Sequence, residues 1–231
     1  MIGFIDTITQ LDQDLFFFFN GKHSPFWDII MSLFTRTEYW ALLYLTILGF
    51  IIRKYRAKAV VILVLLAVSI VICDQFSGLI KDATQRLRPS HDPAIQHLVH
   101  NVLTKGGLYS YFSAHAANTF AVATFTSLLF RRVPYGIFIF LWALMVSYTR
   151  IYLGLHYPLD ILTGILFGVL TGWALFKLLI FVENRFLLLQ FPKLTETKLK
   201  NKEFRFIFIL FLTIIITTVL VVNRLQHFNW I

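Results

Sequence analysis

Residues 59–73 read AVVILVLLAVSIVIC, fifteen positions with no charge among them, and after Asp74 apolar residues carry on to Ile80. A run of this kind restricts the chain severely. In lipid the backbone polar groups have no water to bond, so a spanning segment satisfies them internally as a helix. Scanning for the roughly 20 apolar residues that cross the hydrocarbon of a bilayer gives six candidate spans, near 38–54, 59–80, 114–130, 134–153, 158–182 and 205–223. Arg36 and Glu38 crowd the start of the first. The chain is 58% hydrophobic and 14% charged, where soluble domains run near 45–50% and 25%. The expected fold is all-α, an integral membrane bundle of six helices.

Ahead of the spans, Phe4, Ile8, Leu11, Leu15 and Phe18 recur at helical spacing opposite Asp6, Gln10, Asp14 and Asn20, the pattern of a helix lying in the membrane interface. A short apolar piece at 26–34 reads as a second surface segment. Asp6, Asp12 and Asp14 fall within the first fifteen residues without a basic start, so no cleavable leader is expected. Cys73 is the single cysteine; it cannot form an internal disulfide and reads as a small buried apolar residue.

A net charge of +9 would suggest nucleic acid in a soluble chain. Six crossings, however, put the loops 53–58, 131–133 and 183–204 on one side, which then carries, with Lys177 and Arg205 at its span ends included, thirteen of the 21 lysines and arginines but three of the 12 acids. Positive loops stay in the cytoplasm. Sidedness therefore accounts for the excess, and no nucleic-acid partner is expected. Both termini, the 83–113 loop and the 154–157 turn then face outward from the cytoplasmic membrane. Trp27, Trp40 and Trp230 fall at outer ends of segments, where amphipathic rings anchor; core packing is the competing reading for each.

The outer ends of the spans carry the chemistry. The second runs into KDATQRLRPS, with Lys81 and Arg88–Pro89; the third opens at FSAHAAN, with Ser113 as an N-cap and His115 in the first turn. The fourth ends at Thr149–Arg150, and after a tight turn Pro158 starts the fifth, with His156 and Asp160 four residues apart. Ionisable groups at membrane depth are costly and mark function by default. Lys81, Arg88 and Arg150 suit the peripheral oxygens of a phosphate, and the helix start at Ser113 and Ala114 offers free backbone N–H groups to the same anion. Phosphoryl transfer is then mostly positioning and charge stabilisation. His156, with Asp160 to orient it, reads as the nucleophile. His115, with no acid near it in sequence, suits a general acid.

In their order and spacing these residues resemble the type 2 phosphatidic acid phosphatase (PAP2) superfamily, relatives of the vanadium haloperoxidases and glucose-6-phosphatase, whose pattern is K-x6-R-P, then P-S-G-H, then S-R-x5-H-x3-D. Lys81–Arg88–Pro89 matches the first block, and Arg150, His156 and Asp160 match every spaced residue of the third. Phe112 stands for the Pro and Ala114 for the Gly of the middle block, and Thr149 for the Ser before the arginine. Thr149 keeps a hydroxyl, while Ala114 adds a methyl beside the anion site. The resemblance covers about 58–182 and implies one phosphatase domain over 1–231. In it Lys81, Arg88, Ser113 and Arg150 would hold phosphate, His115 would protonate the leaving group, and His156 would form a phosphohistidine oriented by Asp160, with no metal or other cofactor. The implied substrate is a lipid phosphomonoester or diphosphate whose tail enters between helices. Undecaprenyl diphosphate fits an outward-facing site; phosphatidylglycerophosphate, phosphatidic acid and the lipid A phosphates stay open.

Two rivals remain. A phosphotransferase would pass the same phosphate to another acceptor. A non-catalytic transporter or scaffold is the other, although transporters favour broken spans at mid-membrane and here the ionisable residues gather at one end. Each residue also has an ordinary reading: Lys81, Arg88 and Arg150 as snorkelling anchors, the histidines as polar helix ends, Asp160 as an acid favoured at a helix start. Asp74, about 10 Å deeper than Lys81 at 1.5 Å per residue, reads as an interhelical hydrogen bond to Ser147 or Tyr148, or else as a support beneath the phosphate site. His91, His97 and His100 lack the ligand company of a zinc site. Arg86 reads as solvated surface or as a contact to a second phosphate or head group.

Overall fold

The computed structural model describes residues 2–103, 106–186, 193–194 and 196–228, so Trp230 lies outside the described residues. Its helices are α1 (Ile2–Asn20), α2 (Pro25–Phe34), α3 (Ala41–Tyr55), α4 (Lys58–Thr84), α5 (Ala114–Phe130), α6 (Val133–Tyr152), α7 (Pro158–Phe186) and α8 (Asn201–His227). Among the described residues there is no strand, and one isolated antiparallel bridge joins Leu87 to Tyr109. The fold is all-α, as the apolar runs require.

α4, α6, α7 and α8 are long and apolar enough to cross a membrane. α3 and α5, of 15 and 17 residues, are about 22–26 Å long at 1.5 Å per residue, and each runs beside longer neighbours. α3 packs on α4 and α8; α5 lies among α4, α6 and α7. The bundle is built around α5, whose alanines and threonines are buried on every side.

α7 approaches α5 through Gly164, Gly168 and Gly172. A Cβ on Gly164 would come within 2.6 Å of the Ser113 carbonyl oxygen and one on Gly172 within 2.5 Å of that of Ala121, while one on Gly168 would overlap the backbone of Ala117. Small residues every fourth position let two helix backbones close up where lipid supplies no hydrophobic drive between them. The contact sets the height of one helix against the other, and the Ser113 N–H donates to the Asp160 carbonyl at 3.1 Å.

The far end of the bundle is tied by a buried ion pair, Lys58 to Glu183 at 2.6 Å, and a half-buried one, Lys54 to Glu203 at 2.7 Å. Glu183 also accepts the Leu194 N–H, and Arg132 donates to Asn201. These contacts bring together the loop ends that the charge count assigns to one side.

α1 presents a different face from the one its apolar stripe suggests. Asp12, Phe16 and Asn20, spaced by four, are 4%, 0% and 1% exposed, whereas Ile8, Leu11, Leu15 and Phe18 face outward. A helix at the interface turns its apolar stripe to lipid, so α1 holds the bundle through Phe16 and the two polar side chains Asp12 and Asn20. Asn20, expected on the solvated side, is buried: its amide reaches the carbonyls of His100, Ile151 and Tyr152 at 2.8–3.3 Å and accepts the His100 N–H at 2.9 Å. Trp40 is likewise core rather than an interface anchor, donating to the Phe34 carbonyl and stacking on Phe211. Trp27 is exposed and Cys73 buried.

Candidate active site

α4 and α6 end, and α5 and α7 begin, at one end of the bundle, where the charges of Lys81, Arg88 and Arg150 bear on both His115 and His156. Lys81 projects from the last turn of α4, which closes at Gln85 in the left-handed conformation. Beyond it the chain is extended and pairs with the segment returning to α5: the Arg88 N–H donates to Leu108 at 3.0 Å and the Ser110 N–H to Arg86 at 2.8 Å. This pairing presents the Arg88 side chain, whose Nε donates to the Tyr109 carbonyl at 3.1 Å. Gly106 lies against the Arg88 guanidinium, and its φ of +69° is a conformation that favours glycine.

Ser113 is the N-cap of α5, its hydroxyl accepting the Ala116 N–H at 3.4 Å, with Ala114 and His115 in the first turn. Arg150, near the end of α6, is 8% exposed. Its Nη1 donates to the Thr35 hydroxyl at 2.7 Å, and its Nε is buried with no acceptor among the described protein atoms. The Arg150 carbonyl accepts the N–H groups of Leu155 and His156 at 3.0 and 3.2 Å, which folds the 154–157 turn back and directs the imidazole inward.

His156 is 2% exposed, and its Nδ1 lies 3.4 Å from Asp160 Oδ2. The two atoms face each other without hydrogen-bond geometry. His156 precedes α7 instead of sitting in its first turn, but the turn brings the two side chains together all the same. Burial first, then the charges of Arg150, Arg88 and Lys81, push the His156 imidazole well below its ordinary range. It is therefore neutral at pH 7, the form with a nitrogen lone pair to offer.

Asp160 is wholly buried with both oxygens engaged. Oδ2 accepts the Tyr157 N–H at 2.9 Å and Oδ1 accepts Arg86 Nη1 at 2.9 Å. Arg86 is thus engaged by carboxylates rather than left as solvated surface: its Nη2 pairs with Asp12 Oδ2 at 2.6 Å, and its guanidinium lies 4.2 Å from the centre of the Tyr157 ring. Burial disfavours its charge, but the carboxylates of Asp160 and Asp12 outweigh that and hold it firmly protonated. Asp12 completes its own pairing by accepting the Leu159 N–H at 2.8 Å. Burial raises Asp12 more than Arg86 and Leu159 lower it.

The partner of Asp74 is Asn118, at 2.8 Å across α4 and α5, and not Ser147, which bonds the Ala143 carbonyl, or Tyr148. His100 pairs with Asp28 at 2.8 Å and stacks on His23. Among the described residues no group of three His, Cys, Asp or Glu is arranged to hold a metal. Thr35, Asp12 and Gly106 escape sequence reasoning because their partners lie far along the chain; the one signal available is the spacing of Asp12, Phe16 and Asn20.

Three cations, a helix start and two imidazoles, one of them beside a carboxylate, describe an integral membrane protein with a cationic cluster of a kind suited to a tetrahedral anion. Residues 57–182 match the family model of the PAP2 superfamily. The lipid A 4'-phosphatase of Bacteroides thetaiotaomicron is 41% identical over 74% of this chain and 78% of that protein, and the lipid A 4'-phosphatase of Porphyromonas gingivalis 32% identical over 79% of each. Undecaprenyl-diphosphatase BcrC of Bacillus subtilis is 27% identical over 37% of this chain and 43% of its own length. Among solved structures, Aquifex aeolicus LpxE superposes with a TM-score of 0.57 at 23% identity, covering 72% of this chain and 95% of that one. A transmembrane PAP2-type phosphatidylglycerolphosphate phosphatase from Bacillus subtilis gives 0.57 at 21%, covering 78% and 89%. The chain belongs to the PAP2 superfamily, and it is a membrane phosphatase.

Proposed function

We propose that this enzyme hydrolyses a lipid phosphomonoester or diphosphate through a phosphohistidine, at the outer face of a cytoplasmic membrane. A lipid A type phosphomonoester takes first place among substrates, ahead of undecaprenyl diphosphate, because the relatives named for lipid A align over most of the chain and the diphosphatase over 37% of it.

The observation that carries the reading is Arg150: a buried guanidinium, fixed by Thr35 on one nitrogen, with a second nitrogen lacking an acceptor and two further cations acting on the same histidine. Leaving a buried charge unpaired costs several kcal/mol, so such a site is suited to an anion. With Nδ1 toward Asp160, His156 attacks phosphorus through Nε2; the N–P bond forms as the bond from phosphorus to the lipid oxygen breaks, and His115 protonates that oxygen. Water, deprotonated by His115, then attacks the phosphohistidine and releases inorganic phosphate. Lys81, Arg88, Arg150 and the N–H groups at Ser113 and Ala114 hold the three peripheral oxygens throughout. The outer-face orientation is supported by the basic residues gathered at the opposite end of the bundle.

Phosphate release from a panel of purified lipids, namely lipid A, undecaprenyl diphosphate, phosphatidylglycerophosphate and phosphatidic acid, tests the reading with His156→Ala as control. Turnover of lipid A ahead of the others, lost in His156→Ala, is the expected result. Transfer to an acceptor without free phosphate would make the enzyme a phosphotransferase, and no turnover of any lipid would leave only the fold.

A further inference from the structure

Arg86 sits between two buried carboxylates, and one of them belongs to a helix that the family model does not reach. Asp12, on α1, lies outside the matched residues 57–182, yet it is joined to Arg86 at 2.6 Å, as Arg86 is joined to Asp160 at 2.9 Å. Every oxygen in the set is committed: Asp12 to Arg86 and the Leu159 N–H, Asp160 to Arg86 and the Tyr157 N–H, with Asp160 Oδ2 also facing His156 Nδ1. The Tyr157 ring lies against the guanidinium, and Phe16, one turn past Asp12, packs edge-on against Tyr157.

We propose that Asp12 and Arg86 are positioning residues for catalysis, acting on His156 through Asp160. Two consequences of the geometry support this. Arg86 and the Tyr157 N–H grip Asp160 from separate directions, so the carboxylate cannot rotate away from the imidazole. The charges also matter. Arg86 alone would neutralise Asp160, and the pair would bring no net charge to a ring that must become positive as it attacks phosphorus among Lys81, Arg88 and Arg150. Asp12 supplies the second carboxylate, so with both carboxylates ionised the trio carries one net negative charge on the side of His156 away from the phosphate. Asp12 also accepts an N–H that opens the first turn of α7, which fixes the height of Asp160.

This inference rests on the phosphatase reading, and the test separates the two. Phosphate release and phosphoenzyme formation are measured for the wild-type enzyme, Asp12→Asn, Asp12→Glu, Arg86→Gln and the double variant Asp12→Asn/Arg86→Gln, with thermal stability recorded for each. Asp12→Asn keeps the shape and an acceptor for Leu159 while removing the charge. The expected result is a fall in kcat and in phosphoenzyme formation of about tenfold for Asp12→Asn and about a hundredfold for Arg86→Gln, at or below the lower end of what a group that itself transfers the proton contributes, with KM changed less than about threefold. Asp12→Glu should recover part of the loss, and the double variant should be no worse than Arg86→Gln alone, because residues acting through one another are not additive. Asn20→Ala, which loosens α1 without touching the carboxylates, controls for simple anchoring. An unchanged kcat in Asp12→Asn, an effect on KM alone, additive losses, or an equal loss of kcat in Asn20→Ala would each overturn the proposal and leave the phosphatase reading standing. Absence of wild-type turnover would remove both.

Discussion

The N–H of Ser113 donates to the carbonyl of Asp160 at 3.1 Å. The residue that caps α5 and the carboxylate beside His156 are therefore fixed to each other through the main chain. His115, two residues past Ser113, and His156, four before Asp160, inherit that register. The spacing of the two imidazoles follows from how closely α5 and α7 approach, and the approach follows from glycine.

Gly168→Ala tests that dependence. Alanine in a helix is favoured over glycine by about 1 kcal/mol, but here the new methyl meets the Ala117 backbone, which cannot rotate aside, and overpacking costs about 1–3 kcal/mol. The clash should win, lowering thermal stability and lowering activity more, since small misplacements of reacting groups are expensive. Gly49→Ala in α3, where a Cβ would meet nothing within 4 Å, should be neutral or stabilising. Equal behaviour of the two variants would remove the close approach as the cause.

His156 and His115 are assigned unequal parts, so their variants should differ in kind. His156→Ala should abolish both turnover and acid-labile labelling of the protein. His115→Ala should lose about 10²–10⁴ in kcat on lipid substrates, yet still label from an aryl phosphate, whose leaving group needs no proton, and hold the label. Mild and equal losses in both variants would contradict the assignment.

Arg150 depends on a residue from the other end of the chain. Thr35 holds Nη1 at 2.7 Å, and a hydrogen bond to a charged group contributes about 1.5–3 kcal/mol when its loss strands a buried partner. Thr35→Val should therefore raise KM by about tenfold or more, while Thr35→Ser, which keeps the hydroxyl, should stay near wild type. Arg150→Lys should be worse than either, because a point charge cannot reach Thr35 and the phosphate together. A wild-type KM in Thr35→Val would show that Arg150 holds itself.

Much of this site can be read from the sequence because its residues occupy fixed offsets from helix ends. Lys81 and Arg88, or Arg150, His156 and Asp160, are close along the chain, and a helix end followed by a tight turn leaves few ways to arrange them. Arg86, Asp12 and Thr35 are different. Their partners lie 74, 74 and 115 residues away, and each looks ordinary beside its own neighbours. α1 misleads for a further reason. Its apolar stripe is as conspicuous as a core-facing one, but in a bilayer that stripe seeks lipid, so burial falls to Asp12, Phe16 and Asn20. The stripe of Gly164, Gly168 and Gly172 could have been read from its spacing alone, and it fixes the pairing of α5 with α7.

His156 also gives a sign for stability against pH. Its folded value lies well below the ordinary 6.5, so the unfolded chain takes up a proton that the folded one refuses. The stability this contributes is present above the unfolded value and is lost as pH falls below it, by up to about 1.4 kcal/mol per pH unit. The thermal midpoint of the purified enzyme should drop between pH 7 and 5, and His156→Phe should flatten that slope. Orthovanadate, an anion bound by the three cations, should raise the His156 value and flatten the wild-type slope as well. Identical slopes for wild type and variant, with and without vanadate, would discount the shift.

Sidedness is the remaining inference from charge, and two cysteines decide it. Leu98, in the loop between α4 and α5, is 63% exposed, and Lys198, in the basic loop before α8, is exposed too. Cys73 is fully buried, so background labelling should be low. Thirteen of the 21 lysines and arginines lie on the Lys198 side, and short basic loops are retained in the cytoplasm. An impermeant maleimide added to intact cells should then label Leu98→Cys, and label Lys198→Cys only after the membrane is opened. The reverse pattern would turn the cationic site toward the cytosol. It would restrict the enzyme to lipids of the inner leaflet, and the basic excess would then need an explanation other than membrane orientation.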